Sequence, residues 1–123
     1  MRGSWVAVAA LAVAFAGCGG SENGAVKKTA IDFYTALSAG DGARACALLT
    51  PREAQSGAGG GVSGTASCAN GLGAIGRGFP PATFEKASVH GSTATATLRT
   101  QTGTPIHLTL VKVDGKWRVD RFM

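Results

Sequence analysis

The stretch Leu108-Thr109-Leu110-Val111-Lys112-Val113-Asp114-Gly115-Lys116-Trp117-Arg118-Val119 decides the fold. Leu108 and Leu110 alternate with Thr109, the pattern of a strand with one buried face, and Ile106 and His107 extend it backwards. Asp114-Gly115 supplies the positive-φ pair that a tight hairpin needs, and Trp117, Val119 and Phe122 lie on the returning strand. Val111 and Val113 fall on the opposite parity to the leucines, so a bulge, or burial of both faces near the strand's end, is expected there. Upstream, residues 93–100 set Ala94, Ala96 and Leu98 against threonines with a period of two, and residues 84–89 are also strand-like. His90-Gly91 and residues 101–105 provide the intervening turns.

The first half has a different period. Val26, Ala30, Phe33 and Leu37 recur at spacings of four, three and four, with Tyr34 beside them, which makes the apolar stripe of a helix closed by Gly40. Asp41 is placed to cap a second short helix carrying Ala45, Cys46, Leu48 and Leu49. Thr50-Pro51-Arg52-Glu53 reads as a capping box with proline in the first helical position. After a glycine-rich loop at residues 56–64, residues 66–75 bring Cys68, Leu72 and Ile75 to helical spacing. Helices first and strands second predict an α+β fold, with N-terminal helices packed on a curved antiparallel sheet of about four strands.

The N-terminus points to a compartment. After Arg2, residues 6–16 are uninterruptedly apolar, a run that covers about half of a ~30 Å bilayer core and is too short to span it. Ala16-Gly17 directly before Cys18 resembles the lipobox of bacterial lipoproteins, with Phe15 standing where leucine is usual. That resemblance implies a signal peptide over residues 1–17, lipidation of Cys18 as the mature N-terminus, a polar tether over residues 18–24 and one domain over residues 25–123. The protein would then sit lipid-anchored on the extracytoplasmic face of the cell membrane. The competing reading is a plain secreted protein with an incidental Cys18.

Loss of residues 1–17 leaves 106 residues with eleven basic and seven acidic side chains, a formal +4. No basic run is interleaved with aromatics, so no nucleic-acid partner is expected. With Cys18 on lipid, Cys46 and Cys68 remain as an even pair in an oxidising space. Their bridge would close a loop of about 23 residues around the glycine-rich segment and stabilise the fold by ~3 kcal/mol. No Cys-x-x-Cys is present to suggest redox or zinc chemistry.

Residues 33–41, Phe-Tyr-Thr-Ala-Leu-Ser-Ala-Gly-Asp, followed by Ala45-Cys46-Ala47-Leu48-Leu49, resemble the first two helices of the NTF2-like (cystatin-like, α+β cone) superfamily. The stretch from Leu108 to Val119 resembles its closing hairpin, and the likeness covers residues 25–123. Together with the lipobox and two internal cysteines, the chain is similar to small exported NTF2-like lipoproteins of high-G+C bacteria. The superfamily's cone encloses an apolar pocket and serves isomerases, dehydratases, hydrolases and pure binding modules, so fold alone does not imply a reaction. The pocket candidates here are Phe33, Tyr34, Leu37, His107 and Trp117. In ketosteroid isomerases of this fold a catalytic tyrosine lies on the first helix, eight positions before the Asp of the Ala-Gly-Asp turn. Phe33 stands there in this chain, and Tyr34 is displaced by about 100° around the helix. The general-base aspartate after the second helix has no counterpart.

His107 points away from Ile106, Leu108 and Leu110, so it lines the pocket only if the cone takes the face opposite the leucines. His90, beside a turn glycine, reads as surface, Asp32 as a solvated helix face and Asp41 as a cap. Asp120 is placed to form an ion pair with Arg118 or Arg121. Two histidines seventeen positions apart, without a carboxylate cluster, do not make a metal site. No nucleophile elbow, P-loop or dinucleotide fingerprint is present, and no cofactor is expected. The leading expectation is a non-enzymatic, membrane-anchored domain that binds a small hydrophobic ligand or an envelope protein. The alternatives are an enzyme acting on a small hydrophobic substrate through His107 or Tyr34, and a structural envelope protein that forms a homodimer through its sheet.

Overall fold

The computed structural model describes residues 22–56 and 65–122. Residues 1–17, where a signal peptide is expected, Cys18 and most of the glycine-rich loop lie outside the described residues. The first helix, α1, runs over residues 22–38 and is followed by α2 (Gly42–Ala47), α3 (Pro51–Ser56) and α4 (Thr65–Gly76). Four strands then form one antiparallel meander in chain order: β1 (Ala82–His90), β2 (Thr93–Thr100), β3 (Pro105–Val113) and β4 (Lys116–Phe122).

The stripe of α1 is the spine of the core: Val26, Ala30, Phe33 and Leu37 are fully buried. They lie against the inner face of the sheet, where Ala94, Ala96, Leu98, Leu108, Leu110 and Val119 are buried in turn. The Phe33 and Phe122 rings meet edge to face at 5.1 Å. All the buried core residues lie between Val26 and Val119. α1 ends in a Schellman arrangement, the Gly40 amide donating to the Leu37 carbonyl (3.0 Å) and the Asp41 amide to that of Ala36 (2.9 Å). The Asp41 carboxylate then accepts from the Arg44 amide at 3.3 Å and starts α2, as its position in the sequence suggests. Cys46 and Cys68 are joined by a disulfide that ties α2 to α4, with Cα atoms 5.9 Å apart. On α4, Cys68 and Leu72 face the core, whereas Ile75 is exposed.

The structure corrects two expectations and decides between the alternatives of another. Residues 22–24 are not tether but helical, part of α1. Glu22 meets Lys112 and the Trp117 Nε1–H (2.9 Å), partners some ninety positions away that a polar local sequence does not announce. Second, of the two alternatives for Val111 and Val113, partial burial of both faces is the one found: β3 runs unbroken there with both faces half-buried. The bulge falls instead on the return strand: Thr109 pairs with Arg121 and Leu110 with Val119, so Asp120 is the extra residue. That insertion returns Phe122 to the inner face after Trp117 and Val119. A matching insertion at Glu85 resets β1 from Ala82 and Phe84 to Ala87 and Val89.

Third, Asp120 pairs with neither Arg118 nor Arg121. It accepts from Thr50 Oγ1 at 2.8 Å and from Arg52 Nη2 at 2.6 Å, which latches the bulge to the start of α3. Main-chain bonds from Val119 N to Leu48 O (2.8 Å) and from Thr50 N to Val119 O (2.9 Å) lay the segment between α2 and α3 along the outer edge of β4. The segment thereby covers an edge that would otherwise be free to pair with another chain.

Candidate functional site

The interior of the cone is packed. Phe33, Leu37, Leu72, Leu98, Leu108 and Leu110 are among the largest fully buried side chains and fill the space that the fold would otherwise leave between helix and sheet. Phe33 and Leu37, two of the pocket candidates, are therefore core residues. His107 lies on the outer face, exposed and opposite Thr97, whose hydroxyl is 3.4 Å from its Nδ1. It cannot share a concavity with the residues of the inner face, because successive strand side chains alternate.

Tyr34 and Trp117 do reach concave surface, but at separate places. Tyr34 borders a cleft of about 370 Å³ where the α4–β1 connection faces the β2–β3 turn, with Phe79, Pro80, Pro105 and Ile106 around it. Thr100, Thr102 and Thr104 complete the lining. Their hydroxyls run in series, 3.0 Å from Thr100 to Thr102 and 3.4 Å from Thr102 to Thr104, and the Thr104 amide donates to Thr100 Oγ1 at 3.1 Å. Arg99 Nη1 donates to Gly103 O at 2.8 Å and braces the same turn from outside.

The Tyr34 hydroxyl donates to the Pro80 carbonyl at 2.6 Å, and its ring lies 6.0 Å from that of Phe79. Burial pushes the phenol above its ordinary value, so at neutral pH it stays a protonated donor. The cleft thus offers an apolar floor, a ladder of neutral hydroxyls on one wall and a tyrosine already occupied by backbone. Phe79 and the threonine turn were visible in the sequence only as a boundary and a connection. Nothing local says that segments 25 residues apart close one cleft around Tyr34.

Trp117 belongs to a second cleft, about 620 Å³, between the first turns of α1 and the β3–β4 hairpin, with Lys28, Lys116 and Arg118 on its walls. Among the described residues no three His, Cys, Asp or Glu side chains gather to hold a metal ion, and no helix is long and apolar enough to cross a membrane.

A long first helix lying in the concavity of a four-stranded antiparallel meander, with short helices beside it, is the NTF2-like α+β cone. A designed NTF2-like protein of known structure is similar to this chain with a TM-score of 0.50 and 18% identity, over 79% of this chain and 90% of that one. At that identity the likeness speaks for the fold alone. No family model matches the chain, and no curated protein matches it.

Proposed function

We propose that this chain is a membrane-anchored lipoprotein of the bacterial envelope, held at the extracytoplasmic face through a lipid on Cys18, whose NTF2-like domain binds a small apolar ligand without transforming it. The observation that carries the binding role is the cleft at Tyr34, Phe79 and Ile106, an apolar concavity beside a core that is otherwise full. The non-catalytic part is supported by the groups around it. Among the described residues the cleft is lined by no carboxylate and no histidine, its tyrosine is engaged by the Pro80 carbonyl, and His107 stands on the other side of the sheet. General acid–base work needs a titratable group within hydrogen-bond reach of the substrate. The anchor rests on Ala16-Gly17-Cys18 after the apolar run.

Mass spectrometry of the mature protein purified from its own membranes reads both halves of the proposal. The expected result is a mass increment of a lipid on Cys18 and a non-covalently carried apolar molecule, the latter lost when Thr102→Trp fills the cleft mouth. Cys18→Ala should move the protein out of the membrane fraction. An unmodified Cys18 refutes the anchor. A protein that carries nothing and takes up no apolar dye refutes the ligand.

A further inference from the structure

The charge of the domain is concentrated at one end. Two clefts flank the first turns of α1. One lies against the β3–β4 hairpin, with Lys28, Lys116 and Arg118 on its walls, and the other, of about 360 Å³, lies against β1, with Lys27 and Lys86. Lys27, Lys28, Lys86 and Lys116 are exposed. Two pairs at this end are internally neutral: Lys28 with Asp32 at 2.7 Å, and Lys112 with Glu22. Lys27, Lys86, Lys116 and Arg118 then stand against Asp114 alone, an excess of three positive charges out of the formal +4 that residues 18–123 carry.

This is also the end at which the chain leaves the domain towards Cys18. Three residues separate Cys18 from Glu22, and four chain steps span at most about 3.5 Å each, so a lipidated Cys18 would keep Glu22 within about 14 Å of its attachment point. The field of an anionic leaflet falls off over a Debye length of about 8–10 Å at ordinary salt, so the cationic end would lie inside that field or at its margin.

We infer that the end of the domain formed by residues 22–32, the β3–β4 hairpin and Lys86 docks on anionic phospholipid headgroups of the membrane that holds Cys18. The inference rests on the anchored reading above. It gives the lipid a second contact that fixes the domain's orientation, with the Tyr34 cleft, towards the other end of α1, turned away from the bilayer. A lipid on a tether leaves the domain's orientation open, and a basic patch drawn to an anionic surface selects one.

The test uses lipid-free protein, so it fails or succeeds independently of whether Cys18 is modified. The chain from residue 18 on with Cys18→Ser retains every buried core residue and therefore the fold. It is sedimented with vesicles of phosphatidylglycerol and phosphatidylcholine (roughly three parts in ten anionic) and with pure phosphatidylcholine, at low and at physiological salt. Binding is expected to the anionic vesicles only and to weaken with salt. Each cation near such a surface contributes about fivefold, so K27E/K86E/K116E should weaken binding at least tenfold. The reversal R44E/R77E, away from this end, should change it less than twofold. Equal binding to neutral vesicles, indifference to the triple reversal, or an equal loss from R44E/R77E would overturn the inference. So would binding to soluble polyphosphate with no binding to vesicles.

Discussion

Adding one methyl group at Gly42 tests the packing of the helical layer most sharply. Alanine is the better helix former, so on local grounds Gly42→Ala at the first position of α2 should be neutral to mildly stabilising. Its surroundings reverse the sign. A Cβ at Gly42 would lie 1.8 Å from the Ala69 carbonyl oxygen and 2.6 Å from the Gly73 amide nitrogen, both backbone atoms of α4. Ordinary contact is about 3.5 Å, so α2 would have to move off α4 by roughly 1.5 Å. The Cys46–Cys68 bond resists that movement. Overpacking costs about 1–3 kcal/mol where side chains can yield, and here none can, so about 3 kcal/mol or more is expected. For a domain of this size 1 kcal/mol shifts Tm by about 4–8 °C, and Gly42→Ala should melt at least ~12 °C lower. Gly24→Ala on α1 is the internal control: nothing lies within 4 Å of its added methyl, and it should raise Tm by a few degrees. Calorimetry or circular dichroism of the two variants decides the matter. A Gly42→Ala protein within 2 °C of the parent would refute the close α2–α4 contact, and with it the route by which the disulfide is presented.

Other outcomes follow from the same contacts. Cys46→Ala with Cys68→Ala should lower stability by ~3 kcal/mol, read as a lower urea midpoint, because the bond closes a long loop that is costly to order. Asp120→Ala strips Thr50 and Arg52 of a shared acceptor and should cost about 1–2 kcal/mol, with faster amide exchange at Thr50 and Val119; unchanged exchange would show that the backbone bonds alone hold the edge. The two shifted glutamates should act on acid stability with opposite signs. Hydrogen bonds from Lys112 and Trp117 hold the Glu22 carboxyl below its ordinary value near 4.5, so its contribution is present above that value and lost as pH falls through the lower folded-state value. Burial, helped by Asp120, raises Glu53, so its ionisation in the folded protein is disfavoured and stability falls as pH rises from the ordinary value through the raised one. Urea midpoints measured from pH 7 to pH 3 should therefore fall less steeply on the acid side for Glu22→Gln and more steeply for Glu53→Gln.

What was legible in the sequence was local. The threonine–alanine alternation of β2, the Asp114-Gly115 turn and the Asp41 cap act through a residue's own backbone or its next few neighbours, and each element stands where those signals put it. The four-three-four stripe of α1 works the same way, since the helix period alone gathers Val26, Ala30, Phe33 and Leu37 onto one buried line. Order of elements then leads to the α+β cone, because an antiparallel meander with one apolar face needs the helices to cover it.

The candidate site depended on facts of another kind. A period of two says that His107 and Leu108 lie on opposite faces, but only the placement of α1 shows which face is inside, and that sent His107 out and Phe33 and Leu37 into solid core. Glu22 looked like tether because its partners, Lys112 and Trp117, arrive from the last hairpin. Asp120 looked like a partner for Arg118 or Arg121 until the bulge turned it towards Thr50 and Arg52. Sequence by itself determined the elements and their order, because hydrogen-bond geometry, side-chain period and turn conformation act over a few residues. Tertiary structure alone decided the covered face, the Tyr34 cleft and the gathering of cations at one end, because each depends on side chains brought together from far apart in the chain by burial of the common core.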